Sequence, residues 1–165
     1  MRSQAIEQDT LGVLLKALMR ENRLALTVSL LTGLRISDVL ALKSENLKKD
    51  SFVVFEKKTG KKKKIKLPMA IKRELAAIAG HIYIFEGRSS PLRTRTRQTV
   101  WKDLRRVTRS FRLKGGASPH SMRKTYAVTL REMGMTPTQI QKALNHSDPC
   151  VTALYMYADE LALKQ

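Results

Sequence analysis

From Asp9 to Thr32 apolar residues recur at helical spacing, with Leu11, Leu14, Leu15 and Leu18 in one group and Leu26, Leu30 and Leu31 in another. Polar residues from Arg20 to Arg23 separate the groups, so the pattern predicts two helices, or one that bends there. Thr32-Gly33 reads as a helix stop, because glycine accepts the left-handed backbone that ends many helices. Ser37 or a neighbour then starts a further helix through Asp38-Val39-Leu40, which puts Arg35 at a corner between helices. Ser51 to Glu56 is rich in β-branched and aromatic residues, and Lys64 to Leu67 alternates lysine with apolar residues. With Thr59-Gly60 between them these runs predict a β-hairpin. His81 to Phe85 is a candidate third strand. Thr96 to Phe111, Ser121 to Met133, Thr136 to Leu144 and Thr152 to Leu161 carry helical periodicity, punctuated by Gly115-Gly116, Gly134 and Asp148-Pro149. The expected fold is mainly α with a small antiparallel β-sheet, an α+β class.

Length and charge narrow the reading. A chain of 165 residues fits one domain, 1–165, able to bury most of its apolar surface. Lysine and arginine number 32 against 14 acidic residues, a net charge of +18, which favours a polyanionic partner. The longest strongly apolar stretch, Leu24 to Leu31, is too short to cross a bilayer, and the N-terminus carries no signal-type pattern. The expectation is a cytoplasmic protein with no membrane partner. Cys150 is the single cysteine, so no intramolecular disulfide forms.

Seven of the ten residues from Lys57 to Lys66 are lysine, which gives the hairpin tip a high positive potential. A run of lysines is often only a solvated surface. Here Ile65 and Leu67 anchor one face while the tip projects, a shape suited to a DNA groove or backbone, with Lys57, Lys61, Lys62 and Lys63 as candidate phosphate contacts.

Four further segments carry chemistry. Thr32-Gly33-Leu34-Arg35-Ile36-Ser37-Asp38-Val39-Leu40 resembles the first arginine box of the tyrosine recombinase, or phage integrase, family. Pro119-His120-Ser121-Met122-Arg123-Lys124-Thr125 resembles that family's His-x-x-Arg box, and Leu144-Asn145-His146-Ser147-Asp148 its second-histidine box. Tyr155 follows His146 by nine residues, the spacing of the family nucleophile. The resemblance implies the tyrosine recombinase catalytic-domain fold and a site made of Arg35, Lys58, His120, Arg123, His146 and Tyr155. It implies a DNA strand transferase that works without metal or other cofactor on double-stranded DNA recombination sites. Oligomers up to a tetramer on DNA and accessory DNA-bending proteins are implied as partners, and a prokaryotic, phage or mobile-element origin. The N-terminal core-binding domain of most relatives is expected to be absent from this chain, which is then either an excised catalytic fragment or a naturally short recombinase. Where the family usually has glycine before the second histidine this chain has Asn145, the next best residue for a left-handed backbone.

The residue types fit the reaction. Phenolate attack on a phosphodiester builds charge on the non-bridging oxygens, which guanidinium groups meet with paired, charge-assisted hydrogen bonds. Arg35 and Arg123 are the candidates. Lys58 suits the proton donor to the leaving 5′-oxygen, although Lys57, Lys61 and Lys62 lie close by. His120 is the proton acceptor or a phosphate donor, and His146 a second phosphate hydrogen-bond donor. Among the four tyrosines Tyr157 is the competitor to Tyr155, about 200° away on an ideal helix, so the two cannot face one phosphate. His146 and Cys150 invite a metal or Cys-His reading, which Asp148-Pro149 disfavours by interrupting the helix it needs. Two other functions stay open: a non-catalytic basic DNA-binding module and a type IB topoisomerase-like enzyme.

Overall fold

The computed structural model describes residues 8–113 and 116–157. The first two helices, α1 (Gln8–Lys16) and α2 (Arg20–Thr32), are separate, divided at the polar patch. Asp103, on a distant helix, accepts the Met19 amide at 2.9 Å and the Asn22 side chain at 2.8 Å, so it caps the start of α2 from across the core. Next come α3 (Ile36–Leu40), a 3-10 turn (Ser44–Lys48), and the hairpin β1 (Phe52–Phe55) and β2 (Lys62–Ile65). The hairpin is antiparallel, with Phe52 opposite Ile65 and Val54 opposite Lys63.

α4 (Met69–Ala76) is a short helix without a clear periodic signature, since only Lys72 and Leu75 of it are buried. His81 to Phe85 does not extend the sheet. Ser44 donates its amide to the Ile82 carbonyl at 3.0 Å, and Ile84 to that of Leu42 at 2.9 Å, so this stretch pairs with the loop after α3. A second small hairpin, β3 (Glu86–Gly87) and β4 (Ser90–Thr94), follows it.

The remaining helices are α5 (Arg97–Ser110), α6 (Pro119–Glu132), α7 (Pro137–Leu144) and α8 (Pro149–Met156). Two start earlier than the apolar spacing predicts, because their caps lie upstream. Ser118 forms a capping box with Ser121, and Asp148 accepts the Cys150 amide at 2.8 Å, each ahead of a proline in the first turn. The expected run of the last helix to Leu161, the tail Ala158 to Gln165 and Gly115 lie outside the described residues. Among the described residues no helix is long and apolar enough to cross a membrane.

Two hydrophobic clusters meet along α6. Met122 belongs to the large one, built from α1 to α5 and the first hairpin, and Ala127 to a small one with Ile140, Leu144 and Met156. α2 and α8 both pack on α6. The C-terminal ends of α2 and α7 and the turn-side half of the β1–β2 hairpin, with Glu56 and Lys63, come together at this seam.

Candidate active site

Both α2 and α7 end on a residue in the left-handed conformation, Gly33 at φ 67° and Asn145 at φ 53°. Such a residue turns the chain sharply and leaves the last helical carbonyls, which have no partner in their own helix, free to be used from outside. Arg123 of α6 uses them. One guanidinium nitrogen, Nη1, donates to the Gly33 carbonyl, and Nη2 donates to that of Leu144 at 2.9 Å. Lys63 of β2 does the same one residue earlier on each chain segment, its ammonium bonded to the carbonyls of Thr32 and Ala143. Two cations thus bridge the same pair of helix ends, where the partial negative charge of the carbonyls offsets part of the cost of burial.

Arg123 is 1% exposed. Its burial, then the charge of Arg35, shift its pKa downward against the opposing Glu56. Lys63 is lowered to about 8, by burial first and then by Arg123, with Glu56 working the other way. Its ammonium also lies 5.5 Å from the centre of the Tyr126 ring. Lys63 is therefore placed apart from Lys57, Lys58, Lys61 and Lys62, which are exposed. Among these Lys61 touches the second-histidine box, its ammonium reaching the Ser147 hydroxyl at 3.5 Å.

Arg35 starts α3 and is held by Glu56, whose second carboxylate oxygen accepts the Asn145 side-chain amide at 2.8 Å. Glu56 is completely buried. Asp38, one turn into α3, accepts the Lys57 amide at 3.0 Å and so ties that helix to the hairpin; burial raises its pKa.

His146 is buried between three groups. Its Nε2 lies 3.2 Å from Nη2 of Arg123 and its Nδ1 lies 3.1 Å from the Thr152 hydroxyl. A guanidinium has no lone pair to offer, so Nε2 is the acceptor and Nδ1 carries the proton that is donated to Thr152. Burial first, then the charges of Arg123, Arg35 and Lys63, lower the His146 pKa to about 4, which keeps the ring neutral. In this geometry His146 accepts from Arg123, where the sequence leads one to expect a donor to phosphate. The Tyr155 ring meets His146 edge-on, with centroids 4.9 Å apart and planes at 83°. Tyr157 is 44% exposed and packs against the Arg131 guanidinium instead. His120 sits in the first turn of α6 with its side chain open to solvent, and Ser118 rather than His120 caps the helix. Partial loss of hydration, followed by the charges of Arg123, Arg35, Arg97 and Lys124, lowers its pKa.

Arg35, Arg123, His146 and Tyr155 are thus brought into one continuous set of contacts, with His120 close enough to feel both arginines. The structure adds Glu56, turns Lys63, expected among the phosphate contacts of the tip, inward onto two helix-end carbonyls, and brings in the side chain of Asn145 and Thr152. Strand alternation marks the first two. Phe52, Val54 and Glu56 share one phase, and Lys63, Ile65 and Leu67 share another, and the apolar members of both are buried.

The phage integrase family model matches residues 4–161. The probable integrase/recombinase YoeC of Bacillus subtilis is 30% identical over 133 residues, covering 78% of this chain and 73% of that protein. Tyrosine recombinase XerD of Listeria monocytogenes is 26% identical over 148 residues, 81% of this chain and 48% of its own length, so this chain spans about half of it. Among solved structures, a XerA recombinase superposes with a TM-score of 0.76 at 19% identity over 99% of this chain and 64% of that one. A XerH site-specific recombinase bound to its difH substrate gives 0.74 at 17% identity, over 98% and 52%. With the four boxes gathered at one seam and a family match across nearly all of its length, the chain belongs to the phage integrase family, the tyrosine recombinases.

Proposed function

We propose that this chain is a site-specific DNA strand transferase in which Tyr155 opens a phosphodiester and holds the 3′ end as a phosphotyrosine. The observation that carries the reading is the chain of contacts from Arg123 to His146 at 3.2 Å and from His146 to Tyr155 at 4.9 Å between ring centres. It joins a phosphate-binding cation to a nucleophile through one neutral ring. In the forward step a bond forms between the Tyr155 oxygen and phosphorus, and the bond from phosphorus to the 5′-oxygen breaks. The phenolic proton passes to His120, whose lowered pKa leaves it neutral and able to accept. An ammonium at the hairpin tip, Lys58, supplies the proton that the departing 5′-oxygen takes up. Arg35 and Arg123 stabilise the charge that grows on the non-bridging oxygens. A new 5′-hydroxyl reverses every transfer, so rejoining needs no energy source beyond the phosphotyrosine itself.

The substrate is double-stranded DNA bearing paired sites, engaged by the lysine tip through its phosphates, with assembly on DNA up to a tetramer in the cytoplasm of a prokaryotic host. Accessory DNA-bending proteins complete that assembly.

A library of nicked duplexes that lose the 5′ fragment after cleavage tests the reading. Wild type gives a denaturant-resistant, protease-sensitive protein–DNA band; Tyr155→Phe gives none, and Tyr157→Phe retains it. DNA binding with no covalent band from any duplex identifies a binding module and overturns the proposal. Relaxation of supercoiled DNA without partner strands identifies the topoisomerase-like activity instead.

A further inference from the structure

Glu56 and Asn145 touch the centre of the site, and the strand-transfer steps give neither a task. The carboxylate of Glu56 is fully buried among cations, a placement that is costly unless both oxygens are satisfied. Both are: Oε2 takes Nη1 of Arg35, and Oε1 takes the Asn145 amide at 2.8 Å. Asn145 stands 89 positions away in sequence, on the left-handed turn that ends α7. Glycine would serve that backbone at least as well. What glycine lacks is the amide.

We infer that Glu56 and Asn145 form a positioning pair for Arg35: the Asn145 amide fixes the plane of the Glu56 carboxylate, and the carboxylate fixes the guanidinium. A carboxylate bound at Nη1 leaves the Nε and Nη2 protons of the rigid fork free, and that edge is the one a phosphate accepts as a parallel pair. The pair also links the first arginine box to the second-histidine box, because Glu56 reaches Arg35 on one side and the residue before His146 on the other. Without it Arg35 keeps its charge but not its aim, so DNA binds as before and the chemical step slows. This inference rests on the reading of the site as one that opens phosphodiesters.

The test is a double-mutant cycle on single-turnover cleavage of a nicked duplex at saturating protein. Asn145→Gly keeps the left-handed turn and removes the amide, so it stays folded, with glycine's ease in that backbone offsetting part of the cost of the carboxylate oxygen left unpaired, and it loses rate. Glu56→Gln keeps the shape and removes the charge that grips Arg35. Contacting residues in one network act non-additively, so we expect losses of about fivefold for Asn145→Gly and about tenfold or more for Glu56→Gln, with DNA affinity unchanged or raised. In an Arg35→Lys background, followed over hours, neither substitution slows cleavage further. Losses that multiply in that background, or Asn145→Gly at the full wild-type rate, overturn the inference, and Asn145→Gly decides alone if Glu56→Gln does not fold. A wild-type chain that forms no covalent complex overturns the strand-transfer reading and this inference together; a cleaving wild type beside a fully active Asn145→Gly overturns the inference only.

Discussion

Gly33 is where backbone, packing and site meet, and Gly33→Ala separates their contributions. Its φ is +67°, and a Cβ built there lies 2.5 and 2.6 Å from two ring carbons of Tyr126 and 3.2 Å from a methyl of Leu144. The left-handed conformation costs an L side chain about 1–2 kcal/mol. Forcing an extra methyl into a packed site adds about 1–3 kcal/mol, and the Tyr126 ring has little freedom to retreat because Lys63 covers it and the small core surrounds it. The total is about 2–5 kcal/mol, or a Tm lower by roughly 5–20 °C for a domain of this size. Gly60, at the hairpin tip, is the control: its φ is +65° and nothing lies within 4 Å of its built Cβ. Gly60→Ala therefore carries the backbone cost alone, partly offset by a less flexible unfolded chain, and melts about 2–4 °C below wild type. Thermal melts of the two variants side by side give the comparison. If Gly33→Ala melts within about 2 °C of Gly60→Ala, the approach of Tyr126 to Gly33 is not a hard contact, and the account of how the arginine box is held against α6 is wrong.

Three more outcomes follow from the same geometry. His146 has its pKa lowered from 6.5 to about 4, so folding favours the neutral ring; the stability it contributes is complete above pH 6.5 and is lost as pH falls toward 4. The loss is about 3 kcal/mol at about 1.4 kcal/mol per unit, and it is read as the difference in urea midpoints between wild type and His146→Gln across that range. Lys63→Ala strips the ammonium from two carbonyls and lowers stability by about 2–5 kcal/mol in a denaturation curve. Replacing Lys61 or Lys62 by alanine leaves that curve unchanged and instead lowers the salt dependence of DNA binding, by about 0.9 in log–log slope for each phosphate that is no longer neutralised.

Which parts of this molecule can be read from its sequence depends on the range of the interactions that set them. The caps are local: Ser118-Pro119 and Asp148-Pro149 start helices by contacts within three residues, and they are visible as punctuation even where apolar spacing places the helix start later. The hairpin also declares itself, since Ile65 and Leu67 alternate with lysines. His81 to Phe85 is different. Its composition suits a strand, but its hydrogen bonds go to Leu42 and Ser44, a choice of partner that no local pattern records. The site divides in the same way. Arg35, His120, Arg123, His146 and Tyr155 stand in recognisable boxes, whereas Glu56 stands just ahead of a lysine-rich run and Lys63 within it, where it reads as one more tip lysine facing phosphate. Strand phase is the one clue, and it has to be carried past the apolar residues onto charged ones, against the usual expectation that lysine and glutamate face water. The direction of the Arg123–His146 hydrogen bond is legible only in three dimensions, because it follows from which ring nitrogen faces a group that can only donate.

The arrangement also explains why the boxes contain the residues they do beyond the charged ones. Two helices end in left-handed residues, Gly33 and Asn145, and so present adjacent pairs of carbonyls, Thr32 with Gly33 and Ala143 with Leu144, to cations entering from β2 and α6. Those carbonyls solvate Arg123 and Lys63 without neutralising them, and Glu56 offsets the excess while holding Arg35. The cluster remains net positive in a place that water reaches poorly. Under the proposed reaction a phosphodiester would bring one negative charge there, and the five-coordinate species formed by attack of Tyr155 would bring more, so the field would match the transition state better than the bound substrate. The glycine and the asparagine are thereby as much part of the proposed phosphate site as the arginines: they place the dipoles that let the cations stay charged.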